Sequence, residues 1–86
     1  MKQIIFHNEA LKHYQYWIDT NNEKILLKIS NLLKDIQEHP FSGLGKPEPL
    51  KGDLSGYWSR RINKEDRLVY KVENDKIIVV QCKFHY

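Results

Sequence analysis

Four residues in the second half of the 86-residue sequence have side chains suited to moving protons or holding a phosphate: Glu48, Arg67, His85 and Tyr86. Glu48 stands between Pro47 and Pro49, whose rings fix the backbone on both sides and stiffen its presentation. A carboxylate held this way is a candidate general base. Arg67 carries a planar fork that matches phosphate oxygens, so it is a candidate clamp. His85 is a candidate general acid, because an imidazole can hold or give a proton near neutrality. Tyr86 has a ring that could stack on a base and a hydroxyl that could steady a phosphate. Together these groups suffice for RNA cleavage without a metal. A base takes the proton of the ribose 2′-hydroxyl, and that oxygen attacks the adjacent phosphorus. A cation stabilises the charge on the non-bridging oxygens, and an acid protonates the leaving 5′-oxygen. The reaction needs a 2′-hydroxyl and leaves a cyclic phosphate first. Each residue also has a plainer reading. Glu48 is a solvated loop carboxylate, Arg67 is paired with Glu65 or Asp66, and His85 belongs to a frayed end.

Other chemistries find little support. His7, His13, His39, His85 and Cys82 have no metal-ligand spacing, so neither a metal nor a cofactor is expected. No phosphate-cradling glycine loop or nucleophile elbow is present. Cys82, alone in an apolar stretch, reads as core and excludes an internal disulfide. No apolar run approaches the roughly 20 residues of a membrane span. The N-terminal KQIIF is too short for a signal peptide. These features predict a cytoplasmic protein with one domain over residues 1–86. The net charge of +3 is unevenly spread. Residues 1–42 carry five lysines against five acids; residues 43–86 carry nine lysines and arginines against six acids. That local excess suits a polyanionic partner.

Positioning these residues requires a fold. Residues 2–6 read as a strand and residues 9–19 as an amphipathic helix capped by Asn8. Thr20 and Glu23 could form a capping box for a second helix, whose stripe is Ile25, Ile29, Leu32, Leu33 and Ile36. Pro40 stops it. Residues 39–56 hold all three prolines and all four glycines, a long ordered loop of the kind that often carries function. Strands follow at 57–62, 67–73 and 76–86, with Asn74-Asp75 as a turn. The order β-α-α-β-β-β predicts an α+β fold: two N-terminal helices packed on one face of an antiparallel sheet. The other face would be free for polar strand residues. Residue parity then allows Arg61, Arg67 and His85 to share one concave surface.

The stretch Gly43–Val72, GLGKPEPLKGDLSGYWSRRINKEDRLVYKV, resembles the YoeB toxins, a branch of the RelE/ParE superfamily. The GKPEPL-K loop, the SG-aromatic-WSRRI strand, the RLVY strand and the final HY stand in the family's order. The YW of the first helix and the KxI-x-x-LLKD of the second extend the likeness over essentially the whole chain. Lys83-Phe84 and Lys64-Glu65-Asp66 depart from the family's usual pattern. The resemblance implies a microbial-RNase-like RelE fold and a type II toxin that cuts mRNA in the ribosomal A site against rRNA. It implies a homodimer and a YefM-like antitoxin. By the same resemblance Glu48 is the general base, Arg67 the phosphate-stabilising arginine, His85 the general acid and Tyr86 the terminal tyrosine shaping the site. Lys51, Arg61 and Glu65 match further positions lining it. Two alternatives share the fold: a ParE-like poison that binds DNA gyrase, and a catalytically inactive antitoxin-binding homologue.

Overall fold

The computed structural model describes residues 1–85. The chain runs β1 (Gln3–Phe6), α1 (Asn8–Asp19), α2 (Glu23–Glu38), β2 (Glu48–Pro49), a 3₁₀ turn (Gly52–Leu54), β3 (Trp58–Arg61), β4 (Arg67–Glu73) and β5 (Lys76–Gln81). Both helices form where the periodicity places them, but the caps differ from expectation. His7, in extended conformation, precedes α1 and makes no side-chain cap bond; Asn8 is already helical. Thr20 closes α1, its hydroxyl donating to the Tyr16 carbonyl at 2.9 Å. Asn22 caps α2, its side-chain oxygen accepting from the Ile25 N–H. The shift has a local cause: Asn21 adopts φ +54°, a left-handed step that asparagine tolerates, and this turns the chain between the helices.

The strands form one sheet in the order β1-β5-β4-β3-β2. From β2 to β5 every pairing is antiparallel, as expected. At the other edge β1 lies parallel to β5, with Ile4 opposite Ile77 and Phe6 opposite Val79. The sheet is therefore mixed. The two paired strands are almost a chain length apart, so no tight turn sets their direction, and a crossover through helices permits parallel pairing. Asn74, at φ +52°, makes the two-residue β4–β5 turn.

Alternation along the strands sorts the residues onto two faces. One face presents Leu68, Tyr70, Ile77 and Val79 to Ala10 and Trp17 of α1 and to Ile29, Leu32 and Ile36 of α2; all are buried in one core cluster. Burying each large aliphatic contributes roughly 1.5–3 kcal/mol. The opposite face carries Glu48, Ser59, Arg61, Arg67, Val69 and Lys71, because Glu48 pairs with Ser59, Ser59 with Val69, and Arg61 with Arg67. A register shift at Val69/Tyr70, where Gln81 and Val79 are the successive partners, bends β4 and β5.

Candidate active site

A groove of about 490 Å³ opens on the helix-free face. Its walls include Glu48 from β2, Ser59 and Arg61 from β3, Arg67 from β4, and His85 from beyond β5. Lys46 and the two prolines flanking Glu48 complete it. A carboxylate, two guanidiniums and an imidazole thus share one concave surface. Among the described residues, no cluster of three or more His, Cys, Asp or Glu could hold a metal ion.

Glu48 reaches the groove because the loop before it is tied to the core. Arg60 alternates with Arg61, so its side chain points the opposite way, and it is fully buried. Its Nη1 donates to Asp35 Oδ2 at 2.6 Å and to the Leu44 carbonyl at 3.1 Å. Its Nη2 donates to the carbonyls of His39 and Ser42. Its Nε donates to the Tyr70 hydroxyl, which in turn donates to the Pro40 carbonyl. One guanidinium therefore satisfies much of the backbone of residues 39–44. Asp35 also accepts the Leu44 N–H at 2.9 Å. That bond and the guanidinium beside it hold the Asp35 carboxyl below its ordinary range. The next link is Gly45, whose carbonyl accepts the Arg61 N–H at 2.7 Å. A Cβ on Gly45, which sits at φ +78°, would come within 2.9 Å of Leu32 and 3.0 Å of the Arg61 carbonyl. Only glycine fits there. Lys46 follows at φ +52°, an uncommon state for a lysine, and turns the chain into β2.

His85 reaches the groove differently. The strand expected over 76–86 stops at Gln81, and residues 82–84 bend. Parity therefore fails past Gln81: the Lys83 ammonium lies 3.7 Å from the centroid of the Tyr16 ring on α1, behind the sheet. Phe84 takes φ +68°, a strained value for an aromatic residue. The bend is held from both sides. Asp66 Oδ1 accepts the Phe84 N–H at 2.7 Å, and the Arg67 N–H donates to the Phe84 carbonyl at 3.0 Å. From α1, the Trp17 indole donates to the Cys82 carbonyl at 2.9 Å, and His13 Nδ1 accepts the Cys82 N–H at 3.2 Å. His13 must be neutral at Nδ1 to accept, which fits its pKa: burial lowers it, and Lys83 adds to that against the opposing pull of Glu9 and Asp66. Burial also pushes the Cys82 thiol up to about 12, which makes it a core group rather than a nucleophile.

Arg67 is itself buried at the groove wall. Its Nη1 donates to the carbonyls of Asn63, Lys64 and Asp66, which fixes the guanidinium against the β3–β4 turn. The Asp66 carboxylate is engaged instead with Phe84 and with the Asn63 amide. Lys51 is exposed at the start of the 3₁₀ turn and Glu65 is exposed in the β3–β4 turn; neither walls the groove. Tyr86 lies outside the described residues. Sequence reasoning overlooked Lys46, gave Ser59 no role in the site, and read Asp66 only as a pairing partner for Arg67. The signal for Lys46 was its place between Gly45 and Pro47. Ser59 had the signal of sharing parity with Arg61. Asp66 gave no signal, because its role is a long-range bond to backbone.

This architecture is that of small bacterial toxins. Structures of YafQ from Escherichia coli superpose with a TM-score of 0.79 over 99% of this chain and 94% of theirs at 16% identity, a likeness of fold alone. Closer relatives narrow the class. A YoeB/ParE toxin from Agrobacterium tumefaciens superposes with a TM-score of 0.94, at 43% identity, over 98% of this chain and 99% of that one. The YoeB dimer from Staphylococcus aureus gives 0.90 at 45% identity, over 99% of this chain and 98% of that one. Toxin YoeB of E. coli K12 is 48% identical over 84 residues, 98% of this chain and 99% of that protein. The YoeB-like toxins of bacterial type II toxin–antitoxin systems match residues 6–86, and the chain belongs to that family.

Proposed function

We propose that this chain is a ribosome-dependent endoribonuclease that cuts mRNA in the ribosomal A site and so stops translation. The observation that carries the reading is the convergence of Glu48, Arg61, Arg67 and His85 on one groove. In this account the Glu48 carboxylate takes the proton of a ribose 2′-hydroxyl. The freed oxygen bonds to the adjacent phosphorus. Arg67, with Arg61 beside it across the β3–β4 ladder, balances the charge that grows on the non-bridging oxygens. The bond to the 5′-oxygen breaks as His85 gives that oxygen a proton. The products are a 2′,3′-cyclic phosphate and a 5′-hydroxyl. Glu48 leaves protonated and His85 deprotonated, so the two exchange states before the next turnover. Tyr86 would stack on a base or steady the phosphate. Lys51 and Glu65 would act at the margin, toward rRNA or flanking nucleotides.

The Staphylococcus relative has been solved as a dimer and in YoeB–YefM complexes, one of them heterotetrameric. The same pairing is proposed here: a homodimer restrained by a YefM-like antitoxin, acting in the cytoplasm. The test is a translating bacterial extract with cuts mapped by primer extension. Cuts should fall within the A-site codon, and free mRNA should stay mostly whole. His85→Ala should lower cleavage by at least about 100-fold, in the range expected for removing a general acid. Intact mRNA beside active ribosomes would sink the reading, and gyrase-dependent DNA breaks in its place would point to a protein-binding poison.

A further inference from the structure

The groove continues past Arg61. Lys46 and Arg61 also wall a second depression of about 400 Å³, which reaches Lys64 and Lys28 of α2. Lys28, Ile62 and Asn63 in turn wall a third, of about 540 Å³, which reaches Lys24 in the first turn of α2. Each depression shares wall residues with the next, so the three lie in a row. Lys24 and Lys28 are four residues apart, so they stand one above the other on one helix face. The second and third depressions are lined by five cations and by no aspartate or glutamate; their other walls are amides, aliphatic side chains and a glycine. In a chain whose net charge is only +3, that is a marked local concentration. The acids nearest in sequence, Glu23 and Glu65, are exposed and line neither depression. Among the described residues, none of the five cations is held in an ion pair within 4 Å, whereas Arg60 and Lys71 are.

We propose that this path from Arg61 to Lys24 binds the phosphate backbone of single-stranded RNA continuing out of the groove. A row of cations without base-reading side chains suits a flexible polyanion of any sequence. Lys28 is half-buried and walls both the second and the third depression, so it links the two. The inference rests on the ribonuclease reading and extends it, assigning α2 a hold on the substrate well beyond the scissile bond.

The experiment measures binding of 2′-O-methylated single-stranded RNA, which cannot be cut by the proposed route, to the full chain by fluorescence anisotropy across a salt series. Oligomers of about 4 and about 15 nucleotides bracket the lengths such grooves hold. The longer RNA should bind more tightly to the wild-type protein. Lys24→Gln with Lys28→Gln should weaken it about tenfold and lower the salt slope by about 1.4, as expected when two single-strand phosphate contacts are lost. The same pair should leave the short oligomer's affinity unchanged. Lys64→Gln, on a turn rather than a helix, should lower the slope for the longer RNA by about 0.7 and serves if the double variant does not fold. Equal affinity and slope in variant and wild type, or no gain with length, would overturn the proposal. The underlying reading fails separately: RNA held along α2 by a wild-type chain that never cuts mRNA would keep the track and remove the nuclease.

Discussion

The two segments that deliver Glu48 and His85 to the groove are anchored in opposite ways. The loop before Glu48 is held by a buried charged side chain that reaches it from inside the core: Arg60 bonds to the Asp35 carboxylate, the Tyr70 hydroxyl and three loop carbonyls. The bend before His85 is held by scattered single contacts to its backbone from Asp66, Arg67, Trp17 and His13. One anchor is a hub, a single buried guanidinium that makes five bonds at once. The other includes a histidine that must stay neutral to accept its bond. The first half of the groove is therefore built into the stability of the fold, and the second half is conditional on local bonds and on pH.

The sharpest way to break this contrast is to remove the hub. Arg60→Leu leaves Asp35 without its cation and strands several loop carbonyls, so it should destabilise the chain by about 3–5 kcal/mol. Thermal melts followed by circular dichroism would show it. A loss under about 1 kcal/mol would mean the loop holds itself. Asp66→Ala should cost less, about 1–3 kcal/mol, because it removes one acceptor for the Phe84 N–H and one for the Asn63 amide. Its effect on cleavage should nevertheless exceed that of any mutation in the hub loop that costs the same stability, since it frees the segment bearing His85. Side-by-side melting and cleavage measurements decide this.

A pH series separates the anchors more gently. The lowered pKa of His13 means the unfolded chain takes up a proton before the folded one does. This stabilisation is whole above the ordinary histidine range and declines as pH falls through that range toward the lowered value. For Asp35 the stabilisation is whole above the ordinary carboxylate range and is lost only as pH falls below it. Denaturant melts should therefore show two separate acid losses, with the histidine step absent in His13→Gln. NMR signals of residues 82–85 should move in the first step and those of residues 39–45 in the second. The smallest effect expected is that of Thr20→Ala, a few tenths of a kcal/mol, because its hydroxyl only closes α1 at an exposed position.

The contrast also explains what could be read in advance. The α2 stripe, β4 at residues 67–73 and the Asn74-Asp75 turn follow from local pattern, and each formed as read. Strand parity correctly put Arg61 and Arg67 side by side. Parity left Arg60 on the opposite face but gave no sign that a cation there would be fully buried and bonded to a loop, because those partners lie far off in the chain. The Arg60 hub was thus invisible, as were the parallel placement of β1 and the grip of Asp66 on Phe84. All three are set by partners distant in the chain. The last strand looked continuous to the end because its residues favour extended structure, yet Asp66 and His13 bend it after Gln81. Glu48, Arg67 and His85 stood out as candidates by residue type and by resemblance, while their sharing one groove depends on that bend.

The proposed chemistry acts through the ribose 2′-hydroxyl. The most direct measurement supplies a programmed ribosome with mRNA carrying a single 2′-deoxy nucleotide at the mapped cleavage position, beside the all-ribose message. The all-ribose message should be cut, leaving a 2′,3′-cyclic phosphate, and the substituted one should stay whole at that bond. Cleavage of the deoxy-substituted bond at the all-ribose rate would contradict the account.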